Sequence, residues 1–425
     1  KRDRSTRKKR RRRRKRSGPT PQPDLPTVDE HCELDEADAI CPECGDDLEQ
    51  MGSCSEDSEM IDVIERQFVV RKVRRQKYRC RCGHIETALG PDKLRGTRRY
   101  SPEFAIEVAL NKYLDHLPLE RQCRRMGRQG LNIASQTLWD QIERLADHLE
   151  TTWLGLKYYI KDGDIVGMDE TTWPMLENGS ATWQLWAMHG RGAVWFSVQD
   201  SRSGETAADL LGDFSGWLVC DGLKSYDKAA RISPGDIRLV GCWAHVRRKF
   251  IDAEANHPDL AEEIIEMIGD LYEIEARARD PDEDVDFLEW RRKLRREETT
   301  PKLDEIYAWA TQQSVLPRSP MGKAIKYMLG QWPRLTLFAD HPEVWIDNNP
   351  TERSIRGPVV GRKNHYGSKS RRGTEVAAII YSLVETAKEC GVDPRDYMRR
   401  VVANDIRNPH TVTLPRPIEE VLAED

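Results

Sequence analysis

Ile165-Val166-Gly167-Met168-Asp169-Glu170-Thr171-Thr172 is the stretch on which the fold turns. A short apolar run, long enough for a buried strand, ends in acids. A second run, Trp217-Leu218-Val219-Cys220, ends the same way, in Asp221-Gly222. A carboxylate at a strand end points from a rigid sheet into a shared cleft. Two such groups, with a third from a helix, can hold a pair of divalent cations. Hard oxygen ligands suit Mg2+ or Mn2+. Each acid alone also reads as a turn residue after a strand; as a pair they read as metal ligands. Glu170 faces the opposite way from Asp169 in a strand and is the poorer candidate.

Working outward, Thr182 to Met188 and Ala193 to Val198 predict two strands of a meander, and Gly204 to Phe214 a helix. After Asp221 come a helix around Lys224 to Arg231, a strand at Arg238 to Gly241, and a helix entered at Cys242-Trp243-Ala244-His245-Val246-Arg247-Arg248-Lys249-Phe250. Three strands, helix, strand, helix, strand, helix is the order of a ribonuclease-H-like α/β domain.

The third acid is sought in Asp347-Asn348-Asn349-Pro350-Thr351-Glu352-Arg353-Ser354-Ile355-Arg356. The local grammar is a helix start, with Asn349 as cap and Pro350 in the first helical position. Glu352 then has two readings: it closes a capping box, or it completes the metal set. The strand-end acids favour the second, and the positive end of a helix dipole favours an ionised carboxylate there. Gly357-Pro358 is expected to stop this helix after about two turns, with a basic loop from Arg362-Lys363 to Arg372 following. Arg353, Arg356, Arg362 and Lys363 are candidates for holding DNA phosphates. Arg247, Arg248 and Lys249 are candidates too, with His245 as an orienting donor. The plain alternative is that Trp243 and Phe250 pack while the cations are merely exposed.

Asp221 and Glu352 are far apart in sequence. The intervening span, from Pro258 to about Trp332, carries helical periodicity, including Ile264, Ile268, Leu271 and Ile306. Arg291, Arg292, Lys293, Arg295 and Arg296 form a basic cluster that reads either as DNA-facing or as a solvated helix face. Thr374 to Cys390 is expected as an amphipathic helix ended by Gly391. Trp183, Trp186, Trp195 and Trp217 read as core.

The N-terminal part is organised differently. Residues 1–16 hold thirteen Lys or Arg and one Asp, although the whole chain carries a net charge of −5. Such a block repels itself and grips phosphates non-specifically, or serves as a solubilising tail. Asp24 to Asp62 contains fifteen acids and no Lys or Arg. Cys41-Pro42-Glu43-Cys44-Gly45 and Cys80-Arg81-Cys82-Gly83 are two knuckles, each ending in glycine. They suit a tetrahedral Zn2+ on the thiolates of Cys41, Cys44, Cys80 and Cys82. The second knuckle is one residue short, and His84 could substitute. Unmetallated thiols are the alternative. The β-branched run from Ile61 to Tyr78 predicts strands of a small zinc ribbon. Ser101-Pro102-Glu103 opens a helix, Leu119 to Arg128 makes a second, and Ser135 caps a third. Helix, glycine turn and capped helix resemble a helix-turn-helix, with Arg121, Arg124, Arg125 and Arg128 available for phosphates. Any small helical bundle shares this grammar.

Composition sets the remaining bounds. The chain has 425 residues, 33% of them charged and 38% hydrophobic. No apolar run approaches the ~20 residues of a membrane span. Ten cysteines, scattered apart from two close pairs, fit a reducing cytosol with some thiols on metal. No leader is recognisable, and a chain opening at Lys1 is expected to be truncated or processed.

Met168-Asp169-Glu170-Thr171, Asp221-Gly222 with Ser225-Tyr226, the stretch from Cys242 to Phe250, Asp347 to Arg353, Gly361-Arg362-Lys363-Asn364 and Gly391-Val392-Asp393-Pro394 together resemble transposases of the insertion-sequence 66 family. The resemblance spans roughly residues 20–400. It implies a DDE transposase with Asp169, Asp221 and Glu352 as the catalytic, metal-binding triad, a zinc-binding domain and a helical insertion. It also implies a leading helical segment of which this chain shows only the basic end. The expected organisation is a basic tail and linker (1–26), a zinc-binding domain (27–92) and a helical DNA-binding segment (93–160). The ribonuclease-H-like core (161–256 and 341–400) is split by an all-α insertion (257–340), and a tail closes the chain (401–425). The expected activity is metal-dependent cleavage and strand transfer of a mobile element. Expected partners are double-stranded DNA (element ends and target), further copies of the chain and helper proteins of the element, in the cytoplasm at the nucleoid. Two alternatives share these features: a nuclease or resolvase without strand transfer, and an inactive zinc-dependent DNA-binding descendant.

Overall fold

The computed structural model describes residues 43, 44, 46 and 67–424, apart from 97–98, 178–181 and 280–285. The basic tail, Cys41 and almost all of the acidic segment lie outside the described residues. Strands β1 (Lys77–Arg79) and β2 (Ile85–Thr87) pair antiparallel around the Cys80–His84 turn. Of the strands expected over 61–78, only β1 is found among the described residues. Val69 and Val70 are exposed, so their β-branched side chains have no sheet face to pack on.

Helices α1 (Pro102–Tyr113), α2 (Leu119–Arg128) and α3 (Ser135–Lys161) come next. Ser101 caps α1, its hydroxyl accepting the Phe104 N–H at 3.2 Å. Ser135 makes no such cap; it is already helical, and Ala134 holds the cap position without a side-chain bond. α3 runs on well past Leu149, burying Leu156 and Ile160 as well as Leu138, Ile142, Leu145 and Leu149 in the main core.

The sheet follows: β3 (Ile165–Pro174), β4 (Thr182–Gly190), β5 (Ala193–Gln199), α4 (Gly204–Leu211), β6 (Gly216–Val219), α5 (Lys224–Ile232), β7 (Ile237–Val240) and α6 (Trp243–Ala253). Each element expected between 164 and 253 is present. The strand order is β5-β4-β3-β6-β7; β3, β4 and β5 are antiparallel neighbours, whereas β6 and β7 run parallel to β3. Ile165 pairs with Trp217 and Gly167 with Val219, and the same offset carried two residues on sets Asp169 level with Asp221. β3 does not stop at its acids. It continues to Pro174 because β4 goes on pairing with it after β6 has ended, so Asp169 lies within the strand rather than at its end.

Helices α7 (Pro258–Arg277), α8 (Phe287–Leu294), α9 (Thr300–Gln312), α10 (Pro320–Leu335) and α11 (Leu337–Asp340) fill the span between α6 and the third acid, with a π-helical turn at Arg295–Thr299. The apolar faces of α7, α9, α10 and α11 form a second core with Val246 and Phe250 of α6 and with Trp217, Val219 and Val240 of the sheet, while Leu294 of α8 packs on Ile274 and Ala278. Then come α12 (Asn349–His365), α13 (Arg371–Glu389), α14 (Pro394–Arg407) and α15 (Arg416–Glu424). α13 is almost wholly buried and covers the edge strand β5. Ser382 and Thr386, one turn apart, accept the N–H groups of Phe196 and Val194 at 2.8 and 3.0 Å, and Thr386 donates back to Val194 O. Two side chains thus satisfy backbone that an open edge would leave unpaired. Residues from 67 onward form one compact unit, separate from residues 1–66. Among the described residues no helix is long and apolar enough to cross a membrane.

Candidate active site

The site forms where the start of α12 crosses β3. Gly167 permits that crossing. A Cβ there would lie 2.2 Å from Thr351 Oγ1 and 2.6 Å from Asn348 Oδ1, inside any real contact distance. Buried Asn348 donates its side-chain N–H to Met168 O at 2.8 Å, tying the helix start to the residue before Asp169. Asp347 supplies the turn: its Oδ1 accepts the Asn349 N–H at 3.0 Å. The capping role expected of Asn349 therefore falls on the Asp347 carboxylate; Asn348 holds the cap position without a side-chain cap, and α12 begins at Asn349. Gly357-Pro358 does not stop the helix, which runs to His365. Proline forfeits one backbone bond, but packing offsets that loss. Pro358 and Gly361 are buried, and a Cβ on Gly361 would lie 1.9 Å from Tyr381 Oη of α13. Arg362 and Lys363 consequently sit in the last turn of α12 rather than in a loop.

Glu352 occupies the first turn of α12, and its carboxylate turns to α6. Oε2 accepts Arg248 Nη2 at 2.9 Å. Oε1 lies 3.4 Å from His245 Nδ1 without forming a hydrogen bond; both atoms are buried and unpartnered among the described residues. His245 and Arg248, three residues apart, share one face of α6. Asp221 follows β6, its Oδ1 accepting the Leu223 N–H at 3.0 Å. Asp169 Oδ1 accepts the Glu170 N–H at 2.9 Å. Burial, and then the negative charges of Glu170, Glu352 and Asp221, push the Asp169 carboxyl up to about 7. One electrostatic neighbourhood thus contains all three acids. Like charges gathered this way, with one buried carboxylate oxygen unpartnered, offer a hard donor set that fits a divalent cation.

Glu170 points away, as alternation requires. Its side chain is 3% exposed. It accepts Arg202 Nη2 at 2.6 Å and Tyr226 Oη at 2.7 Å. These two partners tie β3 to the loop before α4 and to the helix that follows Asp221. Arg202 carried no sequence signal; Tyr226 did, as part of the Ser225-Tyr226 motif.

Among the candidate DNA-contacting cations, Arg247, Lys249, Arg353, Arg356 and Lys363 are exposed. Arg248 is paired with Glu352. Arg362 is half-buried and donates to Thr171 Oγ1 at 2.9 Å and to the Thr172 carbonyl, just beyond Asp169. Of the basic cluster in the insertion, Arg292, Lys293 and Arg296 are exposed, whereas Arg291 and Arg295 are buried and face inward. Both readings of the cluster miss those two. Cys242, His245 and Glu352 bring three donor atoms within 4.8 Å of one another. Cys242, however, accepts the Asn348 N–H at 3.2 Å, and burial pushes its thiol up to about 12, so it stays protonated.

In the N-terminal region Cys44, Cys80 and Cys82 are exposed. Gly83, at φ +93°, lets the chain turn beneath Cys80. The Cys82 backbone N–H, and then its thiol, hold the Cys80 thiol below its usual range. That favours the thiolate a metal needs. His84 Nε2 lies 3.4 Å from Glu86 Oε2, with both side chains exposed.

A mixed α/β domain with acids gathered from two parallel strands and a helix defines the class of protein at hand, and comparison with known proteins specifies it. Residues 97–376 match the model of the transposase IS66 family, and residues 38–83 match the zinc-finger binding domain of transposase IS66. The chain belongs to the IS66 transposase family. It is also similar to three uncharacterised proteins of Sinorhizobium fredii (strain NBRC 101917 / NGR234). It is 28% identical to y4jD over 85% of this chain and 75% of that protein. To y4qI it is 30% identical over 81% and 67%, and to y4hP 26% identical over 88% and 72%.

Proposed function

We propose that this transposase catalyses metal-dependent cleavage and strand transfer of a mobile element at Asp169, Asp221 and Glu352. The observation that carries the reading is the half-buried Asp169 carboxyl, raised by desolvation first and then by the charges of Glu170, Glu352 and Asp221, which brings the three acids into one electrostatic neighbourhood. Strand order supports a ribonuclease-H-like core: three antiparallel strands, the first of them extended sideways by two parallel ones. When bound, Mg2+ or Mn2+ supplies Lewis acidity at the phosphate and lowers the pKa of bound water.

The chain's own residues do the rest. Asp169 of β3 and Asp221, just beyond β6, would hold the cations, with Glu352 of α12 as the third ligand. Arg248 fixes one Glu352 oxygen and leaves the other free. Glu170, held by Arg202 and Tyr226, keeps β3 and α5 in register beneath the two aspartates. Arg247, Lys249, Arg353, Arg356 and Lys363 offer exposed charge for the phosphates of double-stranded DNA. Hydrolysis of one phosphodiester at an element end frees a 3′-hydroxyl; that oxygen then attacks a target phosphorus in line, forming a new P–O bond to the target 5′ side while the P–O bond to the target 3′-oxygen breaks and that oxygen leaves as a 3′-hydroxyl. We also assign Zn2+ to the 38–83 region, with Cys80 and Cys82 among its ligands.

The test uses labelled element ends and target DNA with Mg2+. Asp169→Ala, Asp221→Ala and Glu352→Ala are each expected to lower strand transfer about a thousandfold or more, a loss of roughly 4 kcal/mol of transition-state stabilisation. DNA binding should persist. Near-full activity in any of the three contradicts the assignment. Hydrolysis with no joined product in the wild type would identify a nuclease instead.

A further inference from the structure

We infer that the helical insertion positions the metal site, with Tyr272, Glu275 and Arg295 as positioning residues for Glu352. This rests on the reading of Asp169, Asp221 and Glu352 as metal ligands. Tyr272 on α7 donates its hydroxyl to Asp347 Oδ2 at 2.8 Å. Asp347 is the residue whose other oxygen accepts the first N–H of α12. One hydroxyl of the insertion therefore orients the turn that launches the Glu352 helix.

The second contact is deeper. Arg295 has no exposed surface, and Glu275 and Arg291 are almost as buried. Arg295 Nε and Nη2 donate to the two oxygens of Glu275 at 2.6 and 2.8 Å, and Arg291 Nη2 adds a third bond at 2.8 Å. The remaining Arg295 donors reach the carbonyls of Phe338, His341 (2.8 Å) and Val344 (3.0 Å). All five guanidinium N–H groups are thus used. Those carbonyls line the segment that runs from α11 to Asp347. The buried fork thus ties Glu275 of α7 to three carbonyls spaced three residues apart along the approach to α12. The π-helical turn begins at Arg295 itself. Such turns are rare and frequently lie at functional sites.

The inference separates positioning from plain stability through metal affinity. Mn2+ alone is titrated into the zinc-loaded full chain and followed by electron paramagnetic resonance, with thermal unfolding measured in parallel. Tyr272→Phe deletes one hydroxyl and keeps the ring. It is expected to weaken Mn2+ binding measurably, by less than the roughly tenfold loss that follows removal of a direct partner of a ligand, with little change in the unfolding midpoint. Asp347→Asn should act in the same direction and carries the test if Tyr272→Phe does not fold. Tyr307→Phe, on the insertion but outside this contact set, should bind Mn2+ like the wild type. Wild-type affinity in both Tyr272→Phe and Asp347→Asn overturns the inference, as does an equal loss in Tyr307→Phe. Glu352→Gln is the separate control. If it binds Mn2+ as the wild type does, the metal reading itself fails, whatever the insertion variants show.

Discussion

Asp169 and Glu170 are neighbours with opposite electrostatic fates. Glu170 is buried against Arg202 and Tyr226, so its charge is compensated. Asp169 is half-buried beside other acids, and its carboxyl is pushed up to about 7. The sign of its effect follows. Between the ordinary aspartate range and 7, the folded state binds the proton that the unfolded chain has released, so stability falls as pH rises through that window. Asp169→Asn removes the penalty. Without Mg2+ or Mn2+, thermal unfolding should show the variant more stable than the wild type by on the order of 2 kcal/mol at pH 8. The two should agree near pH 4. Glu170→Ala should destabilise at both pH values, because it strands the buried Tyr226 hydroxyl, at a cost of about 1–3 kcal/mol, and frees the exposed Arg202 guanidinium to water. An Asp169→Asn protein less stable than wild type at pH 8 would contradict this account of the charges.

At the scale of elements, the decisive contact is α12 on β3. Gly167→Ala places a methyl against Thr351 and Asn348. It should cost about 1–3 kcal/mol by overpacking and abolish Mg2+-dependent cleavage, while circular dichroism stays close to wild type. Full activity in that variant would show that the crossing does not set the site. Much of this level was legible in the sequence. Alternating and continuous apolar runs between 164 and 253 specify strands and helices because each is bounded by Gly, Asp or Ser. The errors arose where packing overrides local preference. Gly357-Pro358 reads as a stop, yet Gly357 and Gly361 let α12 lie against Glu385 and Tyr381 of α13. Glu352 taken locally reads first as a capping-box residue, and only the acids after the two apolar runs turn it to a metal ligand; nothing local reveals that Arg248, on another helix, takes its carboxylate. Arg291 and Arg295 read as surface charge because their partner, Glu275, sits on a different helix.

On the scale of the whole molecule, two apolar cores meet at the sheet, and the candidate site lies near their junction. One core gathers α1, α3, α13 and β3–β5; the other gathers α6 and the insertion against β6 and β7. Asp169, Asp221 and Glu352 come from three separate stretches of chain, and the insertion separating the last two supplies Tyr272 to the turn before α12. The sequence exposes the two aspartates because they follow apolar runs, and Glu352 because a helix start surrounds it. It hides what orients them, because those partners are distant in the chain and chemically ordinary. The central claim is that these three acids form one cation site. It is tested most directly by the anomalous diffraction of Mn2+ in crystals of the full chain. The account predicts a peak bounded by the carboxylates of Asp169, Asp221 and Glu352, lost in Asp169→Asn crystals. Mn2+ bound elsewhere, with no peak among these three carboxylates, would contradict it.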